Sequence, residues 1–201
     1  MMEWTAFEDQ ARTEGYTCIC GIDEAGRGPL AGPVYAAAVV LRPGQVIEGV
    51  NDSKKLSEKK REALFDTICS QCAAYGIGSA TEKEIDEINI LNATYLAMQR
   101  AVAALPVQPD CALVDGNHAP DLPLEVRTII KGDAQSASIA AASILAKVSR
   151  DRYMLQMAEK YPQYAFEKHK GYGTKLHYER LEQYGISPIH RLSFLKKWMN
   201  R

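Results

Sequence analysis

Four acidic residues are candidates for chemistry because of where they fall along the chain. Asp23 and Glu24 end one short apolar run, Asp115 ends another, and Asp133 precedes a long helical pattern. Ligands of α/β proteins usually bind beyond the carboxyl ends of the strands, so Asp23 and Asp115 would share a cleft if their strands were neighbours. Asp133 would lie near the start of a helix, where backbone N–H groups and the helix dipole favour an ionised carboxylate.

A cluster of carboxylates is unstable by itself. Two like charges 4 Å apart repel by about 4 kcal/mol at an effective dielectric constant of 20. Either the pKa values rise or a divalent cation neutralises the group. Ligand sets made only of oxygen select hard cations, which favours Mg²⁺ or Mn²⁺ over Zn²⁺. Any one of these acids taken alone is more commonly a solvated cap or turn residue.

A glycine-rich turn follows the first two acids. Adjacent residues on a regular strand point to opposite faces, so Asp23 and Glu24 can both reach one metal site only if the strand ends at Glu24. Gly26 and Gly28 allow unusual backbone angles there, and they let a ligand approach the main chain closely. The segment 26–32 is GxGxxxG without a GK[ST] ending and follows two acids, which argues against a dinucleotide or P-loop cradle.

The elements that must position these residues alternate along the chain. Strands are predicted at 16–23, 34–41, 75–80, 111–114 and 126–130, the first three as an antiparallel meander. Helices are predicted at 57–73, 81–105, 136–160 and 175–184, with Ser57 as an N-cap and a capping box at 81–84. This order predicts a mixed α/β sheet in a single domain.

The net charge conceals an uneven distribution. The 201 residues, 46% hydrophobic and 24% charged, exclude disordered and fibrous classes. Twenty-four basic and 25 acidic residues give a charge of −1, which on its own argues against a nucleic-acid-binding protein. However, residues 144–201 contain 12 basic and 5 acidic residues, whereas residues 1–143 contain 12 and 20. The C-terminal part of the chain is therefore predicted to bind phosphate groups.

The five cysteines are expected to be reduced thiols in a cytoplasmic protein. The N-terminus has no pattern typical of a signal peptide, and no apolar stretch approaches the ~20 residues of a membrane span. Cys69 and Cys72 have the CxxC spacing of zinc and redox sites. They also share a helical apolar stripe with Phe65 and Ile68, and no second CxxC follows, so packing in the core is the favoured interpretation.

Seven motifs resemble bacterial ribonuclease HII and occur in that family's order. They are GIDEAGRGPLAGPV (21–34), NDSKKLS (51–57), LVDGN (113–117), KGD (131–133), AASILAKVSRD (141–151), HKGYGT (169–174) and HRLSF (190–194). The resemblance implies a ribonuclease-H-like fold, which is a mixed five-stranded sheet flanked by helices. It also implies a small C-terminal helical region, at about residues 160–201, that binds substrate.

The resemblance further implies a metal-dependent endonuclease. It would hydrolyse the RNA strand of RNA/DNA hybrids and incise 5′ to single ribonucleotides in duplex DNA, leaving 3′-hydroxyl and 5′-phosphate ends. The family's four acids match Asp23, Glu24, Asp115 and Asp133. By this resemblance Asp23 would bridge two Mg²⁺ or Mn²⁺ ions, Glu24 and Asp115 would be further ligands, and Asp133 would hold the ion that activates water.

Such an enzyme must sense a 2′-hydroxyl group, which distinguishes RNA from DNA. The backbone of Gly26, Arg27 and Gly28 offers the necessary close approach, and the Arg27 side chain could contact a phosphate. Tyr172 resembles the family tyrosine that stacks on the sugar at the RNA/DNA junction, although an aromatic residue packed at a turn is the alternative. Further candidate phosphate contacts are Lys54, Lys55, Lys147, Arg150, Lys168 and Lys170.

Three other functions remain open from the residues alone. A nuclease of the same fold class could act on DNA, a degenerate nuclease could bind hybrids without cutting them, and the glycine loop could bind a nucleotide. The four histidines have no metal-ligand spacing and are expected to be structural or adjacent to substrate. The protein is expected to be a monomer without membrane association, and an extended C-terminal substrate clamp is not expected.

Overall fold

The computed structural model describes residues 4–200, which form seven α-helices and five strands. The strands are β1 (Ile19–Ala25), β2 (Val34–Val40), β3 (Ala74–Ala80), β4 (Cys111–Asp115) and β5 (Glu125–Ile129). The helices are α1 (Ala6–Thr13), α2 (Glu58–Gln71), α3 (Glu82–Ala103), α4 (Ala137–Lys160), α5 (Phe166–His169), α6 (Lys175–Tyr184) and α7 (Leu192–Met199).

The five strands form one mixed sheet in the order β3-β2-β1-β4-β5. β1, β2 and β3 pair antiparallel, which confirms the predicted meander. β4 pairs parallel with both β1 and β5. The first and fourth strands are therefore neighbours, as the candidate acidic site requires, and their carboxyl ends lie at the same edge of the sheet.

Helices cover both faces of the sheet. α3 packs on one face through residues such as Ile85 and Ala97, and α4 packs on the other with α2 beside it. α4 lies very close to β1, because a Cβ atom at Gly21 would overlap the backbone of Ser138 and Ile139. The small-residue first half of α4 permits this approach. The N-terminus of α4, and Asp133 before it, are thereby held over the end of β1.

A buried carboxylate fixes the start of α4. Glu8 of α1 accepts hydrogen bonds at its Oε1 atom from the Ser136 hydroxyl (2.7 Å), the Ser138 hydroxyl (2.6 Å) and the Ser138 backbone N–H (3.0 Å). A negative charge at a helix N-terminus satisfies free N–H groups and opposes the helix dipole favourably. The N-terminal helix, which the sequence pattern did not predict, therefore anchors the segment that carries Asp133.

Several predicted boundaries differ from those in the structure. The predicted helix 81–105 is interrupted at Asn89, whose φ is 67° and whose side chain caps the next turn by accepting from the N–H groups of Leu91 and Asn92. The capping box at Thr81 and Glu84 is present as predicted. The unpredicted α1, α5 and α7 have at most eight residues, too few to give a strong periodic pattern.

The cysteines confirm the packing interpretation. Cys72 is buried and Cys69 is half-buried, and both pack in the cluster that α2 and α4 form over the sheet. Their pKa values are raised by burial, which keeps both thiols protonated and unreactive. None of the helices in residues 4–200 is both long and apolar enough to cross a membrane.

Three buried histidines join the C-terminal helices. His169 and His177 stack with ring centroids 4.3 Å apart, and the Nε2 atoms of His177 and His190 are 2.9 Å apart. Nδ1 of His190 accepts from the Ser187 N–H, so its Nε2 donates to His177, whose Nδ1 then donates to the Tyr172 carbonyl. The chain of donors requires every ring to be neutral. Burial accordingly lowers the pKa of both His177 and His190 to about 4.

This cluster predicts a pH-dependent contribution to stability. A histidine with a pKa near 6.5 when unfolded and about 4 when folded stabilises the fold fully above about pH 6.5 and loses that effect as the pH falls towards 4. The difference in unfolding free energy between the wild type and His177→Gln should therefore shrink over this range, as measured by urea unfolding. A difference that stays constant between pH 6.5 and 4 would contradict the prediction.

Candidate active site

Three of the four predicted acids converge at one edge of the sheet. Carboxylate oxygens of Asp23, Asp115 and Asp133 all lie within 4.8 Å of one another. Asp23 follows Gly21 by two residues and Asp115 follows Leu113 by two, so both aspartates lie on the sheet face that α4 covers. Asp133 reaches them from the 3₁₀ turn Gly132–Ala134, which leads into α4.

Backbone and lysine donors hold the three carboxylates. Asp23 accepts from the Glu24 N–H at 2.7 Å, and Asp115 accepts from the Gly132 N–H at 2.6 Å, which ties β4 to the turn carrying Asp133. The Lys54 ammonium lies 3.2 Å from Asp133 Oδ2. These bonds orient the side chains and leave other carboxylate oxygens free to bind a ligand.

The electrostatics of the cluster suit a cation. Burial, followed by the charges of Glu24 and Asp115, raises the pKa of Asp23 well above its usual value. Burial and the charge of Asp133 raise the pKa of Asp115. A single lysine does not offset three clustered carboxylates, whereas a divalent ion would neutralise them and favour the ionised forms of Asp23 and Asp115. The all-oxygen donor set fits Mg²⁺ or Mn²⁺.

Glu24 lies apart from this group of three. The prediction that the strand ends at Glu24 is wrong, because Ala25 still pairs with Tyr35 of β2. The regular alternation of the strand therefore persists, and Glu24 lies on the side of α3, with its carboxylate 3.6 Å from the Arg27 guanidinium. Burial raises the pKa of Glu24, and Arg27 opposes this effect.

The glycine turn differs from its prediction in one position. Gly26 has a φ of +99°, in the region that favours glycine, and a Cβ atom there would overlap the Arg150 side chain. Gly28 does not have a positive φ, so the left-handed angle occurs at Gly26 but not at Gly28. Both glycines line the cleft, where Gly28 is exposed and Gly26 is buried.

A cleft of about 250 Å³ joins the acids to most of the predicted substrate residues. Its lining includes Asp23, Glu24, Gly26, Arg27, Gly28, Lys54, Asp115, Lys147 and Tyr172. The Tyr172 ring is 43% exposed, so it is available to a ligand rather than packed inside a turn. The lining also contains Ser53 and Ser143, which hydrogen bond to each other and were not predicted as site residues. Each lies inside one of the matched motifs, 51–57 and 141–151, which was the available signal.

Four predicted phosphate contacts lie outside the cleft lining, among them Lys168, which is exposed on α5. Lys55 is exposed and faces Asp52, and Lys170 donates to the Glu167 carbonyl outside the cleft lining. The prediction for Arg150 is wrong, because its side chain is fully buried and donates to the carbonyls of Ala31, Pro33 and Lys170. A guanidinium committed to three backbone carbonyls inside the protein has no face for a phosphate.

A mixed five-stranded sheet with an acidic cluster at the ends of two parallel strands defines a ribonuclease-H-like nuclease. Comparison with known proteins is consistent with this class. The family model for Ribonuclease HII matches residues 20–197. The chain belongs to the ribonuclease HII family. It is a ribonuclease H, an endonuclease that hydrolyses RNA in RNA/DNA hybrids, and the family depends on divalent metal ions.

Relatives are similar over most of the chain. Ribonuclease HII of Caldicellulosiruptor bescii is 60% identical over 189 residues, which cover 94% of this chain and 92% of that protein. Ribonuclease HII of Marinomonas sp. is 61% identical over 177 residues, covering 88% and 89% respectively. Among solved structures, ribonuclease H2 of Pyrococcus horikoshii has a TM-score of 0.73 at 30% identity. The match covers 88% of this chain and 93% of the Pyrococcus chain. These similarities confirm the predicted family and fold.

The raised pKa of Asp23 predicts that, without metal, the ionised Asp23 carboxylate lowers the stability of the fold. At pH 8 in chelator, Asp23→Asn should raise the melting temperature by roughly 2–6 °C, because it removes one buried like charge. A raised folded-state pKa costs stability at high pH, so the gain should diminish as the pH falls towards 5. Mg²⁺ or Mn²⁺ should stabilise the wild type more than the variant.

Asp110→Asn provides the matched control for this melting experiment. Asp110 accepts from the Thr17 and Cys18 N–H groups, and these bonds lower its pKa. Its substitution should therefore lower the melting temperature at pH 8. An unchanged or lower melting temperature for Asp23→Asn in chelator would show that carboxylate repulsion is not a cost to this fold.

Proposed function

We propose that this ribonuclease incises duplex DNA 5′ to a single embedded ribonucleotide, as well as cutting longer RNA strands of hybrids during primer removal. The observation that carries the proposal is the cleft, because the exposed residues Arg27 and Gly28 and the Tyr172 ring line the same cavity as Asp23, Glu24 and Asp115. A site that checks one sugar must bring its recognising groups next to its catalytic groups. The proposed products carry 3′-hydroxyl and 5′-phosphate ends.

Asp23, Asp115 and Asp133 are the proposed metal ligands, with Glu24 at the cleft margin as the fourth. Two Mg²⁺ or Mn²⁺ ions bound there would supply an activated water and stabilise the leaving 3′-oxygen in an in-line displacement. Asp23 is the proposed ligand common to both ions, because the charges of both Glu24 and Asp115 act on it and, after burial, raise its pKa. Asp133 keeps its place through Lys54 and the turn before α4.

The proposed reading of the 2′-hydroxyl uses the backbone of Gly26, Arg27 and Gly28. A hydroxyl group both donates and accepts, so main-chain groups that approach it closely can recognise it. Tyr172 would pack on the sugar at the junction, and the Arg27 side chain would contact a neighbouring phosphate after releasing Glu24. Lys54 and Lys147 line the cleft and are the nearest of the proposed lysine contacts.

The C-terminal helical region is the proposed grip on the nucleic-acid backbone. Residues 160–201 carry most of the basic excess, and Lys55, Lys168 and Lys170 would extend the phosphate contacts beyond the cleft. We propose that residues 1–201 act as one catalytic domain with this region as its substrate-binding extension, and that the protein works as a cytoplasmic monomer. Its partners would be RNA/DNA hybrids and ribonucleotide-containing duplex DNA.

A cleavage assay on two duplexes that differ by one 2′-hydroxyl tests the proposal. With Mg²⁺ or Mn²⁺, the ribonucleotide duplex should be nicked once on its 5′ side and the all-DNA duplex left intact, with no cleavage in chelator. Asp133→Asn should fold normally and lose most activity, at least a hundredfold in kcat, at saturating Mg²⁺. Equal cutting of both duplexes would indicate a DNA nuclease, and wild-type turnover by Asp133→Asn would remove that residue from the site.

The position of Tyr172 predicts a specificity defect on substitution. Tyr172→Ala should lower kcat/KM on the single-ribonucleotide duplex about tenfold, about 1.4 kcal/mol, relative to a long RNA/DNA hybrid, because it removes the ring at the junction. Tyr172→Phe retains the ring and should behave as the wild type. Affinity for all-DNA duplex should change less than twofold in both variants. An equal loss on all substrates in Tyr172→Ala would indicate a general binding role instead.

A further inference from the structure

Arg191 is buried beneath the glycine turn although arginine is rarely found inside proteins. It precedes α7 and has no exposed surface. Its Nε donates to the Gly32 carbonyl at 2.8 Å, and its two terminal nitrogens donate to the carbonyls of Arg27 (3.0 Å) and Gly26 (2.6 Å). One guanidinium therefore holds both ends of the turn that follows Asp23 and Glu24.

Burying the Arg191 guanidinium lowers the stability of the fold unless other interactions compensate. Within residues 4–200, no carboxylate oxygen lies within 4.0 Å of the Arg191 guanidinium or of the equally buried Arg150, so neither has an ion-pair partner. Burial, and after it the positive charge of Arg150, lowers the pKa of Arg191 to about 9, which leaves Arg191 protonated at neutral pH. Buried unpaired charge is poorly explained by stability alone.

The hydrogen bonds to Arg191 decide which way the turn presents its N–H groups. In a trans peptide the C=O and N–H bonds point in opposite directions, and no cis peptide occurs in the described residues. The Gly26 and Arg27 carbonyls point inward to Arg191, so the N–H groups of Arg27 and Gly28, in the same two peptides, point away from it. Neither N–H has a hydrogen-bond partner in the described chain, and both residues line the cleft.

We propose that Arg191 is a positioning residue that orients the N–H groups of Arg27 and Gly28 towards a single oxygen of the substrate at the ribonucleotide. Two successive N–H groups on one side of a turn form a concave site for an oxygen that accepts both. The inference rests on the proposed function, in which this turn reads the 2′-hydroxyl. Arg191 acts through the turn and does not itself touch substrate.

The test measures how well the protein distinguishes one ribonucleotide when Arg191 is changed. Binding of a single-ribonucleotide duplex and of its all-DNA counterpart is measured with Mg²⁺ in the Asp133→Asn background, which leaves the duplex uncut. Arg191→Lys keeps the charge but cannot span three carbonyls. It should weaken binding of the ribonucleotide duplex at least tenfold and that of the all-DNA duplex by less than twofold.

Ile68→Ala is the control for lost stability, because Ile68 is fully buried in α2 away from the turn. It should lower the melting temperature and leave the ratio of the two affinities unchanged. If the Asp133→Asn parent does not distinguish the duplexes, the proposed function fails and the positioning role with it. If the parent distinguishes them and folded Arg191→Lys does so equally well, or loses both affinities equally, the positioning role alone is overturned.

If Arg191→Lys does not fold, a measurement on the chain with native Arg191 tests whether the N–H groups of Arg27 and Gly28 contact the ribonucleotide. In ¹⁵N-resolved NMR of the Asp133→Asn protein, the amide protons of Arg27 and Gly28 should move downfield with the ribonucleotide duplex and stay in place with the all-DNA duplex. Amides that do not move, or that move equally with both duplexes, would overturn the proposal.

Discussion

The parallel pairing of β1 with β4 is the constraint on which the active site depends. It brings Asp23 and Asp115 to the same edge of the sheet, and the strand alternation then places both on the face under α4. Gly21 is the residue that allows α4 to lie close enough for Asp133 to join them. A register shift of one residue would send either aspartate to the opposite face and disperse the cluster.

Two kinds of unfavourable buried charge, one negative and one positive, lie on either side of the glycine turn. Asp23 and Asp115 carry carboxylates whose pKa values are raised by burial and by neighbouring carboxylates, and Arg191 carries a cation without an ion-pair partner in the described residues. The turn that starts at Gly26 separates these charges. Bound cations would relieve the acidic side, whereas backbone carbonyls already satisfy the arginine. Strain of this kind at a cleft is typical of sites built for binding rather than for stability.

Local sequence patterns were sufficient to predict the strands and the longer helices, but they did not predict the short helices α1, α5 and α7 or the face on which every side chain lies. The strands, the cap at Ser57 and the capping box at Thr81 could be predicted because each depends on residues a few positions apart. The face of the sheet on which Glu24 lies depends on how far β1 continues its pairing with β2. The glycines at positions 26 and 28 do not predict where that pairing ends. The break at Asn89 depends on a single left-handed residue within an otherwise helical pattern.

The buried arginines show why the number of basic residues in a segment overestimates how many of them are available to bind phosphate. The basic excess of residues 144–201 predicted phosphate binding, yet Arg150 and Arg191 belong to that count and face inward to carbonyls of 26–33. Arg191 and its partners are separated by about 160 positions in the chain, so no local pattern links them. Part of the positive charge that the composition assigns to nucleic acid therefore binds the protein's own backbone, and under our proposal it contributes to recognition only indirectly, by shaping the turn that would meet the substrate.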